Sequence, residues 1–427
     1  MAILAINGGP KTITVDVKDR WKLIQQEEID LVVEMMRRDE VSTPGRGVMK
    51  EAEEKFGKFV GRKYCLSQCN GTSTLMSAYF AAGIGAGDEV IVPCYTWHAQ
   101  VSPILHTHGI PVFCEIDPRN LTMDPEDLKK RITPRTKAIS VVHLWGNIAN
   151  MDAIMAVALE HHLVVIEDCS HAHGGEYGGK KVGSIGDIGC FSFQASKAVV
   201  GGEAGFIVTD HVEYFERILI LGHYGRLEEE LITDKYRFLM PMGIGYKFRA
   251  HPLAMGIAKV QMDRLNEINR RREAVFRILD EGLSAIPPIQ VLSVNPKTKR
   301  GGFYGYRVIY HPEKLDGIPR ALFLKALQAE GVPATECRYP IFHTHPLYNG
   351  YNFFGPNCPY GPLDAFRKQR YQWGSMPVSE RVHQNLIALP VYTDPPDGLL
   401  KQLIEAFEKV AENKNELRQG RGKGERG

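Results

Sequence analysis

Lys197 stands in a glycine-rich turn between two apolar runs, CFSF (190–193) and GFIVTD (205–210). Both runs read as short buried strands, and a lysine beside a core needs a reason to be there. In a confined site an ammonium group gives up its proton more readily, and the free amine attacks carbonyls. A solvated loop lysine is the plain alternative. The rest of the chain has to decide between them.

Three other stretches bear on the choice. In CNGTSTL (69–75) Gly71 permits close backbone approach, while Thr72 and Ser73 bring hydroxyls to the free N–H groups of a helix start. That combination suits an anion, although Asn-Gly-Thr-Ser also makes an ordinary N-cap and turn. In VPCYTWHAQ (92–100) Trp97 follows a strand end and would matter if a flat ring had to be stacked there. In VVIEDCSHAHGG (164–175) Asp168 ends an almost wholly apolar strand, where ligands collect in open α/β sheets, and His171 follows three residues on. A buried aspartate is costly without a cation or donor; as loop caps, Asp168 and His171 would need neither. Ser192 precedes Lys197 by five residues, and Gly201, Gly202 and Gly205 follow it. Read together, the four stretches offer an anion cradle, a stacking ring, a carboxylate and an amine. A single partner uses all four: an aldehyde carrying a phosphate and a protonatable ring, as pyridoxal phosphate does.

These residues must be positioned by a regular scaffold. From about residue 30 to 260, strand-like runs (KYCLSQCN, EVIVPC, VFCEID, TKAISVVHLW, HHLVVIED, GCFSFQ) alternate with helical stretches such as TLMSAYFAAGIGAG and MDAIMAVALEHH. This alternation predicts an α/β fold with a largely parallel sheet. A long amphipathic helix is expected in MGIAKVQMDRLNEINRRREAVFRILDEGL, leading into a second part with strand-like GYRVIYH and helical RALFLKALQAEG. The Pro-, Tyr- and Asn-rich stretch ECRYPIFHTHPLYNGYNFFGPNCPYGPL reads as one long functional loop. The predicted division is a large domain over 1–265, a small domain over 266–412 and a disordered, glycine-rich tail over 413–427.

Bulk composition excludes several classes. The 427 residues carry a net charge of +2 and 24% charged side chains, so nothing demands nucleic acid or a membrane surface. No apolar run is long enough to span a bilayer, and the N-terminus lacks a basic segment and a cleavage site; a cytoplasmic protein is expected. The eight cysteines, Cys65, Cys69, Cys94, Cys114, Cys169, Cys190, Cys337 and Cys358, form no C-x-x-C pair and read as buried free thiols. His161-His162 and His171-x-His173 lack a matching cysteine or carboxylate cluster, so no metal is expected.

The set of motifs resembles the DegT/DnrJ/EryC1/StrS family of sugar and cyclitol aminotransferases, within the fold-type I superfamily of pyridoxal-phosphate enzymes. The resemblance covers nearly the whole chain and rests on LAINGGPK, NGTSTL, IEDCSHAHGG, FSFQASK followed by GGEAG, and GYKFRAHPLAMGIAKVQMDRL. It implies a mainly parallel seven-stranded sheet in the large domain and a smaller α+β C-terminal domain. It also implies pyridoxal 5′-phosphate as cofactor, with Lys197 bonded to its aldehyde and later carrying protons. Asp168 would pair with the ring nitrogen, His171 would lie near the ring hydroxyl, and Trp97 would stack on the ring. Thr72, Ser73 and Ser192 would bind the phosphate, with Gly71 allowing close approach. The family forms homodimers with active sites at the interface, and a GYNYR-like motif sends an asparagine to the partner's phosphate. Here GYKFR puts Lys247 at that place. Arg338, Tyr339 and His343 lie in a loop that borders the site in relatives.

The motifs look most similar to the branch acting on keto-cyclitols in aminoglycoside antibiotic pathways, with glutamine or glutamate as amino donor and ping-pong transamination as reaction. Nucleotide-linked keto-sugars are the main rival acceptors, with Lys180, Lys181 and Arg46 as candidate diphosphate contacts. Further alternatives are a sugar dehydratase, against which Lys197 argues because those relatives carry histidine there, and a non-catalytic regulator that keeps the fold.

Overall fold

The computed structural model describes residues 3–337, 339–348 and 371–419. Seven short strands form the central sheet: β1 (Tyr64–Gln68), β2 (Glu89–Pro93), β3 (Ile110–Cys114), β4 (Thr136–Val142), β5 (Val164–Asp168), β6 (Ile188–Ser192) and β7 (Gly205–Thr209). Their spatial order is β1-β7-β6-β5-β4-β2-β3. The pairs from β3 through β6 are parallel, and β7 runs antiparallel to both β6 and β1. Both faces are covered, which is why β2, β3, β6 and β7 are buried at every position and read as continuous apolar runs rather than alternating ones.

Two helix layers do the covering. On one face lie α1 (Val48–Val60) and the first half of a long helix, α4 (Pro252–Ser284); on the other lie α2 (Gly71–Ala81) and α3 (Val212–Gly222). The expected helix after β1 begins earlier than its apolar residues suggest. Asn70 caps it by accepting the Ser73 N–H at 2.8 Å, so the turn itself becomes the helix start.

The α4 helix joins two cores. Met255, Ala258, Met262 and Leu265 pack into the core beneath the sheet, whereas Val275, Phe276, Leu279 and Leu283 belong to a second one. That second core surrounds an antiparallel sheet of Ile289–Val291, Tyr306–Tyr310, Leu386–Leu389 and Thr335–Glu336. The expected boundary at 265/266 therefore falls inside one continuous helix.

The chain's first residues also differ from expectation, since Leu4 and Ile13 lie in the second core rather than with the large sheet. Buried Glu330 holds them there: it accepts from Ala5 N at 2.8 Å, from Thr12 N at 3.1 Å and from Lys409 Nζ at 2.8 Å. Burial alone would raise the Glu330 pKa, but these partners outweigh it and hold the carboxyl below its usual range.

The tail expected from 413 is shorter than predicted. Lys414–Gln419 is helical, and Leu417 is buried in the second core, an apolar contact that the polar composition around it hides. Residues 420–427 lie outside the described residues. No helix among those described is long and apolar enough to cross a membrane.

Candidate active site

Strand order brings the chemistry together. Parallel pairing sets Asp168 opposite Cys190, and Ser192 N donates to Ser170 Oγ at 3.1 Å, so the ends of β5 and β6 lie side by side. β6 leaves the sheet at Ser192 and returns antiparallel as β7 with Gly205 opposite Ser192. The connection between them carries Lys197. It is closed by Lys197 N donating to the Gln194 carbonyl at 2.9 Å and Gly201 N to that of Phe193 at 2.7 Å.

A cavity of about 440 Å³ opens at these strand ends, a volume suited to a small ligand. Gly71, Thr72, Trp97, Asp168, His171, Ser192 and Lys197 all line it, as does Tyr339. These eight sequence-expected residues come from separate stretches, and the fold converges them. Gly71 is needed for contact: a Cβ there would lie 2.6 Å from Ser192 Cβ.

Electrostatics sharpen the arrangement. Burial raises the Asp168 carboxyl, although Ser170, donating its backbone N–H to Oδ1 at 3.0 Å, and Lys197 pull it back. Burial pushes the Lys197 amine down to about 8, and Asp168 opposes it. His171 is held neutral, chiefly by burial and then by Lys197 and Arg307. Its Nδ1 accepts the Trp145 N–H at 3.4 Å, which leaves the proton on Nε2, facing the Tyr339 hydroxyl at 3.4 Å.

Other expected residues stand elsewhere. Ser73 is spent on the cap: its N–H goes to Asn70 Oδ1 and its Oγ donates to the Asn70 carbonyl at 2.7 Å. The capping reading of Asn-Gly-Thr-Ser thus holds for Ser73, while Thr72 stays exposed toward the cavity. His343 is buried and bound to Glu380 at 2.7 Å, a structural pairing away from the cavity lining. Lys247 is exposed and absent from this lining; its strand-like bridge is to His223. Arg338 lies outside the described residues.

The sequence reading missed Tyr304, which stacks on His171 at 4.1 Å, and Glu203 at the cavity wall. The signal for Tyr304 was the preceding Gly301-Gly302. Gly302 has φ +66°, and a Cβ there would sit 2.5 Å from the His171 carbonyl, so this pair docks the Tyr304 segment against the aspartate loop. A buried trio of His143, Glu167 and Cys169 also escaped notice. Glu167 accepts from the N–H groups of Gly183, Ile185 and Gly186 and faces His143 Nε2 at 3.1 Å, a hydrogen-bond knot that anchors the loop before β6.

Pyridoxal phosphate fits these residues. The cavity offers helix N–H groups and the Thr72 hydroxyl for a phosphate, a half-exposed indole for a ring face, a buried carboxylate for a ring N–H⁺, and an amine for the aldehyde.

Comparison with known proteins agrees. The model of the DegT/DnrJ/EryC1/StrS aminotransferase family matches residues 22–408. The L-glutamine:2-deoxy-scyllo-inosose aminotransferase of Micromonospora echinospora is 31% identical, over 98% of this chain and 100% of that protein. The enzyme of the same name from Streptomyces paromomycinus is 36% identical, over 70% of this chain and 72% of that protein. Among solved structures, the aminotransferase from Psychrobacter cryohalolentis has a TM-score of 0.81 at 25% identity, covering 94% of this chain and 100% of that one.

Proposed function

This chain belongs to the DegT/DnrJ/EryC1/StrS aminotransferase family, and from that premise we propose that it moves an amino group from glutamine or glutamate to a keto-cyclitol. It is an aminotransferase whose cofactor is pyridoxal 5′-phosphate. The keto-cyclitol acceptor and the glutamine donor follow those of the similar enzymes from Micromonospora echinospora and Streptomyces paromomycinus. The observation that carries the reading is the pairing, in one cavity, of the buried Asp168 carboxylate with the Lys197 amine held near the pH of use.

When bound, the cofactor supplies an aldehyde and an electron-withdrawing ring that stabilises negative charge on a substrate carbon. The residues do the rest. Asp168 would keep a ring proton in place through its buried carboxylate, and Trp97 would hold one ring face. The helix start at Gly71 and Thr72, with Ser192, would hold the phosphate. Lys197 Nζ would take a proton from the donor carbon and hand it on. The donor leaves as a keto acid before the acceptor ketone enters, which makes the kinetics ping-pong.

The test is a pair of half-reactions on cofactor-loaded protein, followed by the visible absorbance band. Glutamine or glutamate should bleach the band, and 2-deoxy-scyllo-inosose should restore it. If only a nucleotide-linked keto-sugar restores it, the acceptor class is wrong. If no amino acid changes the band, transamination itself is wrong.

The protein works as a homodimer in this reading. Phe238 (80% exposed) and Met242 (71% exposed) stand with exposed Ile232, Ile244 and Tyr246 on one segment, the kind of apolar surface that marks an interaction site. Lys247 closes that segment, and in this reading it would serve a partner's phosphate site. Light scattering should give a dimer for the wild type and a monomer for Phe238→Asp/Met242→Asp, with weaker cofactor retention; a monomeric wild type at micromolar concentration would refute this. The seven described cysteines are all free, which supports a cytoplasmic setting. We also assign cofactor binding to the large-sheet core and substrate enclosure to the second core, the two meeting along α4.

A further inference from the structure

We propose that Tyr304 is a positioning residue for Lys197: its ring is the platform on which the amine rests, as an ammonium, whenever it is not bonded to the cofactor. This rests on Lys197 being the reactive amine of the reading above.

The geometry is specific. Lys197 Nζ lies 3.8 Å from the centre of the Tyr304 ring, well within cation–π range. The ring is fixed on two sides. His171 stacks on it at 4.1 Å with 19° between planes, and His171 is itself locked by the Trp145 N–H. The phenol is fixed too: Ser196 Oγ donates to Gln194 Oε1 at 2.6 Å, so at 3.0 Å it accepts from the Tyr304 hydroxyl. Gln194 and Ser196 belong to the turn that carries Lys197, and the Gln194 carbonyl accepts the Lys197 N–H. A residue more than a hundred positions away is thus tied to the lysine turn and set beneath the lysine's amine.

A wall residue would need none of these ties. A lysine that must leave its bond and return needs a defined resting place, because a flexible four-carbon stem otherwise spreads the amine over many positions. The aromatic face also favours the charged amine, against the burial that disfavours it. The other titratable groups around Lys197 are Asp168, which favours its charge, the neutral His171 and His173, and His98, Glu203 and Tyr339 on the wall of the same cavity.

The experiment follows the rate at which cofactor-free protein takes up pyridoxal phosphate as pH is raised, read from growth of the visible band. Only the neutral amine attacks the aldehyde, so the midpoint reports the amine's proton affinity. Tyr304→Leu removes the platform, and its midpoint should fall by about one pH unit, the effect of a partly desolvated cation–π contact. Tyr304→Phe keeps the ring and should keep the midpoint. Phenylalanines carrying progressively more fluorine at position 304 keep the shape while weakening the ring's negative face; they should lower the midpoint in step, whether or not the leucine variant folds. An unmoved midpoint across the fluorinated series, or an equal fall in Tyr304→Phe and Tyr304→Leu, overturns the proposal. Wild-type protein that loads no cofactor would instead overturn the functional reading beneath it.

Discussion

Lys197→Ala is expected to lower turnover by at least about 10⁴-fold, the upper end of what a positioned proton carrier contributes, while far-UV circular dichroism and thermal midpoint stay at wild-type values. The same amine is proposed as nucleophile and proton carrier, so one substitution removes both. Lys197→Arg should be equally inactive, because a guanidinium keeps its charge at any working pH and cannot attack an aldehyde. Small primary amines added to Lys197→Ala should restore part of the proton transfer, since the cavity has room for them once the side chain is gone. The pH behaviour has a definite sign. Burial holds the Lys197 amine near 8 in the cofactor-free chain, so uptake of the aldehyde should rise with pH and level off above that value. A solvated lysine would instead keep rising toward 10. Residual turnover of Lys197→Ala at more than a few per cent of wild type would return Lys197 to the class of ordinary loop residues.

The largest effect on stability is expected at Arg226. Its guanidinium is almost wholly buried and makes two 2.8 Å bonds to each of two carboxylates, Glu53 and Glu230. Burial alone would lower its pKa, but Glu53 and Glu230 more than offset that and hold it above the ordinary value. Glu53 accepts in turn from Ser67 N at 2.8 Å and Ser67 Oγ at 2.7 Å, which joins α1 to β1 just before the Asn70 turn. Arg226→Met would leave two carboxylates facing each other with no cation between them. The cost is expected at about 3–5 kcal/mol, the range for breaking a buried pair from one side. Arg270→Met, at the exposed pair with Glu267, should leave stability almost unchanged. Urea unfolding of the two variants beside wild type checks both expectations. Equal midpoints for Arg226→Met and Arg270→Met would mean that the buried cluster stabilises the fold no more than a surface pair does.

Residues whose placement depends on local order were legible in the sequence. Lys197, Asp168 and Gly71 sit at strand ends flagged by apolar runs on one side and glycine on the other, and strand ends in a parallel sheet share one edge. Ser73 was misread because two uses of a hydroxyl at a helix start, capping and anion binding, look identical until the preceding Asn70 is seen to take part. His343 was misread for a related reason: its partner, Glu380, lies 37 residues away, and nothing local marks the pair. Tyr304 was missed because its chemistry comes from His171, Ser196 and Lys197, all distant in the chain and brought to it only by the fold. The α4 helix was legible from its period, whereas its sharing between two cores was not, since periodicity gives an apolar face without saying what covers it.

The Glu330 anchor has a consequence for how the polypeptide comes into being. Leu4, Ala5, Thr12 and Ile13 are made more than three hundred residues before Glu330, the group that holds them. During synthesis this segment emerges with no counterpart and waits, exposed, until Glu330 and Lys409 have followed it. Closing so wide a loop late in the process is slow, and it invites the leader to pair with a neighbouring nascent chain instead.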